Sequence, residues 1–257
     1  MISYTEAEIG ALVGSFLWPL FRIMGFFLAA PVVGSNFVPA RVRLILALAV
    51  SILIAPTLPD VPEVPALSIP AFLIVLQQVL IGFALGFFMQ MVFQIFIVLG
   101  QLIAMQMGLG FASMVDPTNG INVAILSSFY LMFVTMLFVL FDGHLVMISV
   151  IAESFEQIPI SSTAVDRDIY YRLISTISWV FSSALLLALP ALTALLITNF
   201  AFGIMTRAAP QMNIFALGFP VALMFGLFII WMTMGYFEEI SRTVFTDMFI
   251  RMRALLN

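Results

Sequence analysis

The chain has no cysteine and no lysine. Without cysteine there are no disulfides, zinc ribbons, iron–sulfur clusters or thiol nucleophiles. Without lysine there is no P-loop lysine, no Schiff base and no polybasic lipid-binding run. Histidine is nearly absent too: His144 is the single one among 257 residues. Charge of either sign is scarce, at 9% of the chain, where a soluble domain carries about 25%. So few charged side chains could not cover the surface of a soluble 28.4 kDa domain. Ordinary soluble enzymes, disordered chains and nucleic-acid binders are excluded on these grounds.

What the chain has instead is apolar surface. Apolar residues make up 63% of it, and the mean hydropathy is +1.21. This is the composition of a polytopic membrane protein, or of a chain buried within a larger hydrophobic assembly. A signal peptide is not expected. The first residues include Glu6 and Glu8, and the first basic residue, Arg22, lies inside an apolar run.

Six apolar stretches stand out, at 9–33, 42–58, 69–107, 121–151, 173–206 and 214–237. Prolines at 56, 59, 62, 65 and 70 mark an extended linker. The segment MVDPTNG at 114–120 is a turn signal. The 152–172 stretch is hydrophilic, and Thr163 with Asp166 predicts a helix starting near 164. A further break falls at Thr206–Phe215. The fold class expected is all-α, with long broken hydrophobic helices and helical hairpins.

The lengths do not suit simple spans. A bilayer core takes about 20 helical residues. The 69–107 stretch would run about 58 Å at roughly 1.5 Å per residue. The 173–206 stretch is also overlong, which predicts helices packed against protein for much of their length. Arginine placement fails to alternate across the stretches, so six conventional spans are not expected. On the third helix Gln90, Gln94 and Gln101 share one face, within about 40°. Gly82 and Gly86 form a G-x-x-x-G that lets another backbone approach. These five residues predict either helix packing within the chain or a subunit interface.

The catalytic inventory is nearly empty. No H-E-x-x-H or G-x-S-x-G is present, and the G-x-G at 108–110 lacks its third glycine. No catalytic residue, metal site or cofactor is predicted. Asp142 and His144 read either as a polar helix break or as a relay pair of a secondary transporter. Arg22 reads as snorkelling or as an ion pair with a partner helix. Arg207 stands beside Pro210 at a helix end, where a cation is expected.

The most informative segment is MQMGLGFASMVDPTNG at 105–120. Its methionines, Phe111 and glycines form a flexible, polarizable loop between two apolar helices. Unpaired backbone cannot face lipid, so the loop must be buried in protein or line a cavity. Two readings follow: an ordinary turn with methionines in a core, or a deformable seal that blocks water and ions yet yields to a polypeptide.

Three stretches carry a resemblance: PVVGSNFVPARVR at 31–43, MGLGFASMVDP at 107–117 and RAAPQMNIFALGFP at 207–220. Together they resemble the FliR family, the R subunits of the flagellar type III protein-export gate. The last of the three favours the flagellar branch over the virulence injectisome. The resemblance implies a structural, non-enzymatic channel subunit in the bacterial inner membrane, at the flagellar basal body. It implies a P-like part at 1–165, with a pore loop at 105–122, followed by a Q-like hairpin at 166–257 with its tip near 207–215. The plug would comprise Met107, Gly108, Leu109, Gly110, Phe111, Ala112, Ser113, Met114, Val115, Asp116 and Pro117. The tip would place Arg207, Pro210, Gln211, Met212 and Asn213 at the cytoplasmic entrance. Implied partners are several copies each of the P and Q subunits, the B and A subunits, unfolded flagellar substrates and inner-membrane lipid.

Overall fold

The computed structural model describes residues 6–58, 62, 64–65, 68–109, 113–115, 122–161, 167–208 and 214–256. They form seven α-helices and one short antiparallel ribbon. Helix α1 spans Glu6–Ala29 and α2 spans Ala40–Ile54, ending in a 3-10 turn at Ala55–Thr57. Helix α3 (Ile69–Gln106) is followed by strands β1 (Ser113–Val115) and β2 (Asn122–Ala124). Helices α4 (Ile125–Leu140), α5 (Gly143–Gln157), α6 (Arg167–Ala208) and α7 (Ile214–Leu256) complete the chain. The all-α expectation holds, with the ribbon as its one exception among the described residues.

Local chemistry explains the boundaries. Ser68 caps α3: its Oγ accepts the Ala71 N–H at 3.3 Å and donates to the Pro65 carbonyl at 2.7 Å. In the proline linker ahead of it, the described residues beyond Thr57 are not helical. The predicted helix start near 164 lies outside the described residues, and α6 is helical from Arg167. The 121–151 stretch is two helices, not one. They meet at a 70° bend, where Asp142 takes a left-handed backbone with φ 55°. Asp142 has short-side-chain chemistry that tolerates this conformation.

Among the described residues four helices are long and apolar enough to cross a membrane: Ala40–Thr57, Ile69–Gln106, Ile174–Ala208 and Gly218–Ala254. The bent α4–α5 pair would be a fifth if it counts as one span. Helix α1 adds a shorter apolar stretch, Gly14–Ala29, among the described residues.

The chain divides into two compact units. The first comprises Met1–Met91, Asp142–Thr176 and Asp247–Asn257; the second comprises Val92–Phe141 and Ile177–Thr246. In the first, Trp18, Ala71 and Ile74 form a buried cluster, with Phe21, Val64, Val75 and Ile160 packed on it. Close helix contact there depends on glycine. A Cβ on Gly82 would strike the Arg22 carbonyl oxygen, and one on Gly86 the Phe26 carbonyl oxygen, both on α1. A Cβ on Gly25 would come within 2.5 Å of the Val79 carbonyl oxygen. The 31–43 stretch folds into a compact turn closed by Arg43, whose Nη2 donates to the carbonyls of Ser35 (2.8 Å) and Val38 (3.0 Å).

The second unit has an aromatic core. Phe93 meets Phe138 edge-on at 5.3 Å, Phe138 meets Phe245 at 5.4 Å, and Phe96 meets Phe237 at 5.6 Å. Such offset pairs add about 0.5–1.5 kcal/mol each beyond the area they bury. They join α3, α4 and α7. Gly100 brings α3 onto α4: a Cβ there would lie 2.6 Å from Ser127 Cα. Ser127 Oγ also donates to the Ile97 carbonyl at 2.8 Å.

Candidate gating loop and its supports

The loop begins where α3 runs out. The Met107 N–H still donates to the Ile103 carbonyl at 2.9 Å, and the Gly108 N–H to the Met105 carbonyl at 3.1 Å. Gly108 then turns left-handed, with φ +80°. This is a glycine-terminated helix end, which an L side chain would strain. Met107 is buried and Leu109 half-buried, while Met105 is 62% exposed.

Beyond it, Ser113, Met114 and Val115 are described as backbone. They pair antiparallel with Ala124, Val123 and Asn122 respectively. Sequence reasoning missed this ribbon, because three-residue strands carry no readable alternation. Pairing supplies hydrogen-bond partners to backbone that apolar surroundings would otherwise leave unsatisfied. The Gln101 side chain adds a link, accepting the Ala124 N–H at 3.2 Å through Oε1. Gly110, Phe111, Ala112, Asp116 and Pro117 lie outside the described residues, as do Pro210, Gln211, Met212 and Asn213.

The other predicted residues are divided between the units. Gly82 and Gly86 meet α1 of the same chain. Gln90, Gln94 and Gln101 are half-buried along α3. Arg207 is exposed in the last turn of α6, beside a hollow lined also by Phe200, Gly203 and Ile204. Asp142 and His144 are both exposed at the α4–α5 bend. The Asp142 carbonyl accepts the N–H groups of Leu145 (2.8 Å) and Val146 (3.2 Å). The arrangement is that of a helix break, with both side chains open to the surface. Among the described residues no group of three or more potential metal ligands occurs.

Arg22 departs from both sequence readings. It neither snorkels nor pairs with a carboxylate among the described residues. Its side chain is fully buried in the first unit. Nε donates to Gln78 Oε1 at 2.7 Å, Nη1 to the Ser154 carbonyl at 2.8 Å and Nη2 to the Ile158 carbonyl at 2.8 Å. The guanidinium also lies 4.2 Å from the Phe155 ring centroid. Neutral oxygens and a ring face thus solvate the cation, tying α1 to α3 and to the end of α5. Gln78 carried no sequence signal of this role, since Arg22 lies in a different helix.

The family described as bacterial export proteins, family 1, matches residues 13–248. The chain belongs to this family. Flagellar biosynthetic protein FliR of Escherichia coli (strain K12) is 36% identical over 249 residues, which cover 97% of this chain and 95% of that protein. FliR of Pectobacterium carotovorum subsp. carotovorum is 35% identical over the same shares. Surface presentation of antigens protein SpaR of Shigella flexneri is 25% identical, covering 90% of this chain and 92% of its own. The resemblance carried by 31–43, 107–117 and 207–220 therefore extends over nearly the whole chain. The chain is a membrane-embedded component of a flagellar, type III export apparatus.

Proposed function

We propose that the chain is a structural channel subunit of the flagellar type III export gate. It scaffolds a complex with several copies of the P and Q subunits and seals their pore with the loop from Met107 to Pro117. The apolar side chains Leu109, Phe111 and Met114 keep the closed state dry by packing, and a passing unfolded chain displaces them. The protein contributes scaffold and seal, with no catalytic step and no cofactor. Energy enters through other components, the A subunit among them. Residues 1–165 form the P-like part and 166–257 the Q-like hairpin; each compact unit takes segments from both. The hairpin tip, with Arg207 and 210–213, faces the cytoplasmic entrance beside the B subunit. The site is the inner membrane at the flagellar basal body.

One observation carries this reading. A 38-residue apolar helix ends at a left-handed glycine, and the chain returns to the next helix through a paired ribbon. Non-helical backbone at that place in an apolar chain is stable inside protein or lining a cavity. Its Met- and Gly-rich composition suits a surface that must deform around different chains.

The test replaces both Phe111 and Met114 with glycine in the assembled gate. Ion leak should rise while the P and Q subunits still co-purify. Parental conductance in a correctly assembled variant removes the plug. Native mass spectrometry of the detergent-extracted particle checks the scaffold: one copy of this chain should appear within a large mixed particle.

A further inference from the structure

The base of the loop meets α6 and α7 at three consecutive residues, all within the second unit. Asn199 of α6 donates through Nδ2 to the Gln106 carbonyl at 3.2 Å. That carbonyl is among the last of α3, which have no partner within the helix. Met107 is 1% exposed and lies against Gly226 of α7. A Cβ on Gly226 would come within 2.5–2.7 Å of the Met107 Cγ, Sδ and Cε. Gly108 follows, with its left-handed backbone, and a Cβ on it would approach the Phe219 ring of α7 at 2.9–3.0 Å. Gly203 and Gly235, in the same two helices, have no described atom within 4 Å of a built Cβ.

We propose that Asn199 and Gly226 are positioning residues for the seal: they fix Met107 as the loop's anchor. The inference rests on the sealing role proposed above and deepens it. Met107 is enclosed, so it holds the start of the loop in place. Gly108 takes its left-handed backbone without a Cβ penalty. The thioether fits because methionine is unbranched and the facing position has no side chain. Asn199 and Gly226 lie outside the loop itself. They act by setting where Met107 sits, and through it where the seal begins.

The experiment uses the full chain co-expressed with the P and Q subunits, reading ion conductance per assembled gate. Four forms are compared: the parent, a deletion of 111–115, Gly226→Leu, and Gly226→Leu with Met107→Ala. The deletion should leak, as the sealing role requires. Gly226→Leu should leak several-fold more than the parent, because the new side chain evicts Met107. The double variant should return towards the parent, because large and small have been exchanged across one contact. General destabilisation would not produce that return. If Leu at this position prevents assembly, Gly226→Ala with and without Met107→Ala makes the same comparison with a smaller intrusion. A leaking deletion beside parental conductance in assembled Gly226→Leu overturns the anchor alone. So does a double variant that leaks as much as the single one. A deletion that does not leak overturns the seal, and the anchor with it.

Discussion

Glycine makes close contacts of two kinds: with backbone at Gly82, Gly86 and Gly100, and with a flexible side chain at Gly226. In the first unit Gly82 and Gly86 face the carbonyl oxygens of Arg22 and Phe26, which are backbone. In the second Gly226 faces the flexible end of one methionine. Backbone in a helix cannot move aside without moving the helix, whereas a thioether can change rotamer. The first contact therefore sets the distance between two helices. The second sets only the place of one side chain. Rigid and yielding contacts are separated in this way: the helix scaffold uses one kind, and the base of the loop uses the other.

The largest expected effect falls on the rigid contact. Gly82→Leu drives a side chain into the α1 backbone and should cost about 3 kcal/mol or more, above the usual range for overpacking. The thermal midpoint of the detergent-purified particle should fall sharply, and a parental midpoint would show the helices to be free to separate. Next is Arg22→Met, which keeps the bulk but removes every donor. It leaves Gln78 Oε1 and the Ile158 carbonyl without the guanidinium, a loss of about 2 kcal/mol. The same midpoint checks it, and Arg22→Met with Gln78→Leu should recover part of the loss. The smallest stability effect belongs to the yielding contact. Gly226→Ala should cost about 1 kcal/mol at most, since Met107 can shift. If Gly226→Ala lowers the midpoint as far as Gly82→Leu does, the distinction between the two contacts fails.

Much of this scaffold was legible in the residues. The prolines from 56 to 70 and the apolar run to 107 mark α3 almost to the residue. Asp142 and His144 mark the break inside 121–151. The end of α7 was not legible as apolar sequence, because 238–256 is polar on one face. Ser241, Val244, Phe245, Met248 and Met252 form its buried stripe at helical spacing, and a search for amphipathic rather than apolar sequence finds it. At the candidate site, the position of the loop could be read from its methionines and glycines. Its supports could not. Asn199, Phe219 and Gly226 are distant in sequence from Met107, and nothing in their local pattern says which turn of which helix they meet. The solvation of Arg22 was hidden for a related reason: two of its acceptors are backbone carbonyls, which no residue type announces.

Helix α7 contributes to both compact units, with its length to Thr246 in one and the remainder in the other. It supplies Phe237 and Phe245 to the aromatic core and Gly226 to the notch that holds Met107. At its far end Arg253 pairs with Glu153, with nitrogen–oxygen distances of 3.0–3.1 Å. A chain emerging from the ribosome presents α1 to α6 first. Neither unit can then reach its final packing until α7 has been made and has folded back. Order of synthesis thus becomes order of closure: the loop base stays open through most of translation, and its last fastening arrives with the last helix.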